Sequence, residues 1–128
     1  MSAPIPGDLS PAGLPSARRL RKPEDFRRVF ARPRRLAGDG FTVLVRRGAT
    51  LGPRLGLAIS KRCARRAVDR NRIKRIARES FRHRLRSLPP VDVVVLCGRD
   101  VLKLSPSRLR ATLDNAWDRI GRLPWDDS

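Results

Sequence analysis

Five cations recur at every fourth position, Arg70, Lys74, Arg78, Arg82 and Arg86. They lie within a stretch from Lys61 to Arg86 that holds twelve basic residues against Asp69 and Glu79. Residues four apart stack on one face of an α-helix. Like charges at that spacing destabilise an isolated helix by about 0.2–0.5 kcal/mol per pair, so a merely solvated face would interleave acids, and Glu79, near Arg75 and His83, is almost the only one. A guanidinium is permanently charged and bonds phosphate through two parallel N–H groups. The pattern therefore predicts a face for the phosphate oxygens of nucleic acid. Arginine far outnumbers lysine, which favours seating on a structured RNA over diffuse attraction, although composition does not separate RNA from DNA. Asn71, between Arg70 and Arg72, is unusual inside a helix, and its plain reading is a local backbone cap near the helix start.

The whole chain shares this bias. Lys and Arg total 30 against 12 Asp and Glu, for a net charge of +18, so the folded chain repels itself unless a polyanion neutralises it. An anionic membrane would also attract it, but apolar runs such as Val93 to Cys97 fall far short of the roughly 18 residues of a spanning helix. Protein catalysis has little to work with: His83 is the one histidine and reads as solvent-facing, and the acids are scattered, so no paired carboxylates, His pair or metal-ligand cluster is predicted. Cys63 and Cys97 form no disulfide framework and have no second ligand at metal spacing; they read as small buried or half-buried residues in a reducing compartment. Arg18, Arg19 and Arg21 superficially suggest a transit peptide, but Asp8 and four early prolines oppose it, no apolar signal stretch precedes them, and a cytoplasmic location is expected.

The elements that would position these residues follow from periodicity. Residues 1–17, with Pro4, Pro6, Pro11 and Pro15, read as a disordered arm. Lys22 to Phe30 reads as a short helix with Pro23 in the first turn, Glu24 and Asp25 complementing its dipole, and Phe26, Val29 and Phe30 on one face, stopped by Pro33. Strands are expected at Phe41–Val45, Leu55–Ile59 and Asp92–Cys97. Between the last two, Ile73, Ile76, Ala77, Ser80, Phe81, Leu85 and Leu88 mark a long helix from about Arg66 to Arg86, ended by Pro89-Pro90. A last helix starts at Ser105-Pro106, carries Leu109, Leu113, Ala116, Trp117 and Ile120 as its apolar stripe, and has Gly121 as its expected C-terminal cap.

The hexapeptide Arg70-Asn71-Arg72-Ile73-Lys74-Arg75 resembles the signature motif of the ribonuclease P protein family. The match runs on through Ala67-Val68 before it and Arg78-Glu79-Ser80-Phe81-Arg82 after it, follows Leu57-Ala58-Ile59-Ser60-Lys61, and includes Phe26-Arg27-Arg28-Val29-Phe30, which is similar to the family's first-helix motif. It covers about Leu20 to Ile120 and leaves out the arm. The resemblance implies one α+β domain at 18–122 with a tail at 123–128. Its order is αβββαβα, with a four-stranded sheet, three helices and a left-handed β-α-β crossover. Only three strands are read from the residues themselves, and the fourth is placed no better than within or near Phe41–Ile59.

The resemblance also implies the protein subunit of an endoribonuclease that removes the 5′ leader from precursor tRNA, leaving a 5′-phosphate. Hydrolysis there belongs to Mg²⁺ ions held by the RNA subunit, with no catalytic protein side chain and no metal assigned to the protein. Partners are the catalytic RNA and precursor tRNA, with no membrane and no protein partner required. Carried over, Lys61, Arg62, Arg65, Arg66, Arg70, Asn71, Arg72, Lys74, Arg75 and Arg78 are RNA contacts, facing the catalytic RNA with the preceding loop. Phe26 and Phe30 line a leader cleft between first helix and sheet. Leu44 or Thr42 faces it where some members carry a Tyr, a residue this chain lacks. An end loop is implied as a possible metal site. Phe26 and Phe30 read equally as core packing of a short helix, Trp117 as core and Trp125 as tail. Competing readings are a ribosomal-protein-like structural RNA binder and a DNA-binding architectural protein, separable by which nucleic acid copurifies.

Overall fold

The computed structural model describes residues 14–125. Strand β4 (Val91–Cys97) lies inside the sheet, and its first five residues, Val91-Asp92-Val93-Val94-Val95, are all buried. On one side it pairs antiparallel with β2 (Phe41–Arg47), Val43 opposite Val95, and on the other it pairs parallel with β3 (Arg54–Ala58), Leu55 beside Val93. Strand β1 (Arg34–Ala37) completes the sheet in the order β1-β2-β4-β3. The helices are α1 (Pro23–Ala31), α2 (Ala67–Arg82) and α3 (Pro106–Arg122), so the expected α+β order αβββαβα is what the chain adopts.

Alternation along the strands splits the interior in two. Val43, Val45, Leu55, Val91, Val93 and Val95 join Ile73, Phe81, Leu113, Trp117 and Ile120 from α2 and α3 in the larger cluster. On the opposite face Leu44 and Val94 meet Val29 of α1 and Leu20 in a small one.

Helix α3 begins as read: the Ser105 hydroxyl accepts the Arg108 N–H at 3.2 Å, Pro106 occupies the first turn, and the stripe Leu109, Leu113, Ala116, Trp117 and Ile120 is buried. Gly121, however, lies within the helix and does not cap it. Helix α2 stops at Arg82, short of the expected Arg86, and turns lead on to Pro89. The fourth strand precedes Phe41, with Leu36 opposite Val43; Leu36 is its one buried residue, too little alternation for a strand signal.

Both expected chain ends shift. Leu14, assigned to the arm, is buried, a 3-10 turn spans Ser16–Arg18, Arg19 bridges Leu55 in parallel, and Leu20 N–H bonds Leu55 O at 2.9 Å. The rest of the arm lies outside the described residues. Trp125 packs back on the domain: its indole N–H donates to Ile120 O at 2.9 Å, and Arg34 sits 5.6 Å from the ring centroid. Residues 126–128 of the tail fall outside the described part. Cys63 is buried and Cys97 half-buried as expected, and their sulfur atoms meet, with Cα atoms 6.2 Å apart. Thirty-four residues separate them, and only the return of the chain through α2 to β4 brings them together.

The indole N–H of buried Trp117 donates to Ser80 Oγ at 2.7 Å, and the ring meets Phe81 edge-on at 5.4 Å. Ser80→Ala leaves that N–H without its acceptor, which is expected to cost about 1–3 kcal/mol, read as a lower denaturation midpoint. In a Trp117→Phe background the same substitution should be nearly neutral.

Candidate nucleic-acid interface

Arg66 caps α2 through its backbone conformation alone, with no side-chain hydrogen bond. Within the second turn, Arg70 reaches back and donates to the carbonyls of Ala64 at 2.9 Å and Arg65 at 2.8 Å. That bond pair ties the loop carrying Lys61, Arg62, Arg65 and Arg66 to the helix, so Arg70 organises its cationic neighbours as well as adding charge. The Asn71 side chain is exposed and has no hydrogen-bond partner among the described residues; Arg66 holds the cap position, so Asn71 is not the cap.

All ten carried-over RNA contacts are exposed or half-exposed. Asp69 lies within 3.9 Å of Arg66 and 3.6 Å of Arg72, and Glu79 within 4.0 Å of Arg82. Among the described residues Lys61, Arg62, Arg65, Lys74, Arg75 and Arg78 form no ion pair, so their charge is available to a partner. Burial lowers the pKa of Arg78, and the nearby positive charges of Arg19 and Arg75 add to the effect. An anion placed there would relieve that repulsion. His83 is exposed, as expected.

Lys74 and Arg78 also form one wall of a groove of about 230 Å³, with Arg19 and Arg21 on its rim and Leu14, Leu20, Phe26, Leu55 and Leu57 lining it. Its rim is cationic and its floor apolar, a combination suited to phosphate and base together. Leu14, Arg19 and Arg21 were not among the expected site residues. Their signal was the clustered arginine beside the start of the motif match, read only as a false transit peptide.

On α1 the two phenylalanines part. Phe30 is 45% exposed, against the core-packing reading, whereas Phe26 is half-buried and its ring lies on Gly56. A Cβ at Gly56 would come within 2.7 Å of Phe26 Cζ, so the glycine is what lets the ring lie against the strand. Leu44 is 3% exposed and packs beneath α1 with Val29 and Val94. It supports the helix, and Thr42, two residues away on the same sheet face, is the half-exposed alternative. The described residues contain no group of three or more His, Cys, Asp or Glu able to hold a metal ion.

A helix of unopposed cations beside a groove that is apolar below and cationic above defines a polyanion-binding protein. The family model described as Ribonuclease P matches residues 14–121. A ribonuclease P protein component of Thioalkalivibrio sulfidiphilus is 51% identical over 108 residues, 84% of this chain and 90% of that protein, and one of Aliivibrio salmonicida is 42% identical over 81% and 89%. The solved ribonuclease P protein of Staphylococcus aureus superposes with a TM-score of 0.74 at 26% identity, covering 84% of this chain and 97% of that one. For the Thermotoga maritima protein the values are 0.70 and 30%, over 80% and 96%. The chain belongs to the ribonuclease P protein family, and through it is a component of that ribonuclease.

Replacing Arg70 by Ala removes both carbonyl contacts and is expected to weaken binding to ribonuclease P RNA by about 1–3 kcal/mol, measured by titration of labelled RNA. Arg70→Lys should restore only part, because an ammonium lacks the planar fork. Turnover at saturating protein should recover in both; a persistent defect there would contradict a seating role.

Proposed function

We propose that this chain assists the Mg²⁺-dependent removal of the 5′ leader from precursor tRNA, acting by binding and charge neutralisation. Helix α2 and the loop before it seat on the catalytic RNA, and the groove between the N-terminal segment, α1 and α2 receives the single-stranded leader. The observation that carries this reading is the continuity of the unpaired cations of α2 with that groove through Lys74 and Arg78. Family membership supplies the reaction class.

The RNA subunit holds the Mg²⁺ ions, which supply the chemistry of phosphodiester hydrolysis and leave a 5′-phosphate. The protein side chains keep the leader near the ribonucleoprotein by ion contacts to phosphate and by a stacking surface at Phe30. Stacking a base on an aromatic ring is worth about 1–3 kcal/mol and tolerates any base, which suits leaders of varied sequence. Such processing belongs with tRNA maturation in the cytoplasm, and no helix of the described residues is long and apolar enough to cross a membrane.

Reconstitution with a bacterial ribonuclease P RNA should stimulate precursor cleavage at low Mg²⁺; no stimulation would remove the proposal. Because phosphate contacts dominate, raising salt from about 50 to 200 mM should weaken RNA binding by about 10³-fold or more, and a flat response would contradict the cationic-face model. On α1, Phe30→Ala should lower affinity for leader-bearing precursor by about 1–3 kcal/mol with mature tRNA unaffected. Its exposed ring predicts little change in melting temperature, so a large stability loss with an unchanged precursor-to-mature ratio would dismiss it as a leader contact.

A further inference from the structure

Helix α1 carries the exposed Phe30 ring and rests on the sheet through two apolar side chains, buried Val29 and half-buried Phe26. It has nine residues, of which only Val29 is buried, and isolated helices shorter than about 12–15 residues are marginal in water. An ionic network adds to these two contacts. Asp92 of β4 is fully buried and accepts three hydrogen bonds: from Arg54 Nε at 2.9 Å, from an Arg54 terminal nitrogen at 2.9 Å, and from an Arg28 terminal nitrogen at 2.8 Å. Asp25 of α1 lies 3.5 Å from both arginines, and Arg46 of β2 donates to the Arg28 carbonyl at 2.6 Å.

A buried ion pair is seldom more stabilising than apolar residues of the same volume. Its distinctive contribution is direction, because arginine–carboxylate bonds constrain angle as well as distance. Val29 and the Phe26 ring hold α1 by shape alone, whereas a bond from Arg28 to a carboxylate fixed by Arg54 also constrains its direction. The hydrogen bond to Asp92 raises the pKa of Arg54 against the opposing effect of burial. The Gly48 backbone closes the pocket: a Cβ there would stand 2.9 Å from Asp92 Oδ1.

We propose that Asp92, through Arg28, is a positioning residue for leader recognition: it sets the roll of α1 over the sheet and thereby the direction in which the exposed Phe30 ring points. This rests on the leader-binding reading above. Phe30 follows Arg28 by two residues, so loosening the Arg28 anchor acts on the ring without touching the cations of α2.

The test uses the reconstituted ribonucleoprotein and measures affinity for leader-bearing precursor and for mature tRNA with wild type, Arg28→Met, Arg28→Lys, Phe30→Ala and the Arg28→Met/Phe30→Ala double variant. Arg28→Met removes the Arg28 contacts to Asp92 and Asp25, and leaves Asp92 doubly bonded to Arg54, Asp25 beside Arg54 and the Arg46 bond to the Arg28 carbonyl in place. It is expected to lower the precursor-to-mature ratio about tenfold, the size of one lost charge-assisted bond, with partial recovery in Arg28→Lys. The double variant should lose no more than Phe30→Ala alone, because both act through one ring.

A cooperatively melting Arg28→Met protein with an unchanged ratio, beside a Phe30→Ala protein that has lost it, overturns the proposal and leaves the leader reading standing. If neither variant changes the ratio, the leader reading fails and the proposal with it. Equal losses for precursor and mature tRNA would make the network purely structural. Should Arg28→Met not fold, the ratio of Arg28→Lys decides by the same criteria.

Discussion

Strands β3 and β4 are parallel neighbours, and parallel neighbours cannot be joined by a tight turn. The chain must leave the end of β3, cross back over the sheet and re-enter beside it, and the residues that make this crossing are the most cationic of the protein. A crossover helix needs one apolar face to cover the sheet, which Ile73, Ile76, Ala77 and Phe81 provide. Every other face is then forced outward. Topology thus gathers on one exposed helix a charge density that a helix in isolation would disfavour, while packing against α3 and the sheet compensates for the repulsion.

The placement of the acids completes that arrangement. With a net charge of +18, self-repulsion opposes compaction wherever cations crowd, and the paired carboxylates are found mostly where separate elements meet. Asp92 joins β4 to α1 and β3. Asp118 of α3 pairs with Arg84 beyond α2 at 2.7 Å, and Asp39 of the β1–β2 turn pairs with Arg108 of α3 at 2.9 Å. The last two are exposed and contribute little, about 0–1 kcal/mol each. Asp92 differs because it is wholly buried and would be costly unpaired. Acids thus serve mainly at junctions, and the outer face of α2 keeps only Asp69 and Glu79.

Where periodicity and packing agree, the sequence was legible. The stripe of α3, its Ser105 cap and the buried face of α2 follow from spacing alone, and the family motif placed the cationic helix in the right order of elements. The failures have physical causes. Strand β1 has one buried side chain in four and follows Pro33, so its pattern is that of a loop; it exists because β2 offers it a free edge. Leu14 and Trp125 looked like parts of polar ends, but each finds an apolar surface built from residues distant in sequence. Leu44 alternates correctly along β2, and what covers it, α1, cannot be read from the strand. Asp92 read as the first residue of a strand, and nothing local announces that two arginines from other elements converge on it.

The groove's composition bears on how selectively it can bind. Phe26, the aromatic residue in its lining, is committed to the sheet at Gly56, Leu44 is covered and Thr42 half-exposed, so the freely exposed ring of α1 is Phe30, outside that lining. One ring offers stacking without base identity, and the cations of the groove recognise phosphate, which every nucleotide carries. On the proposed reading, this chain therefore gains affinity for a leader with little dependence on its sequence. Discrimination between precursor and mature tRNA then comes from the presence of a single strand to fill the groove, and that in turn depends on a ring held at a fixed angle.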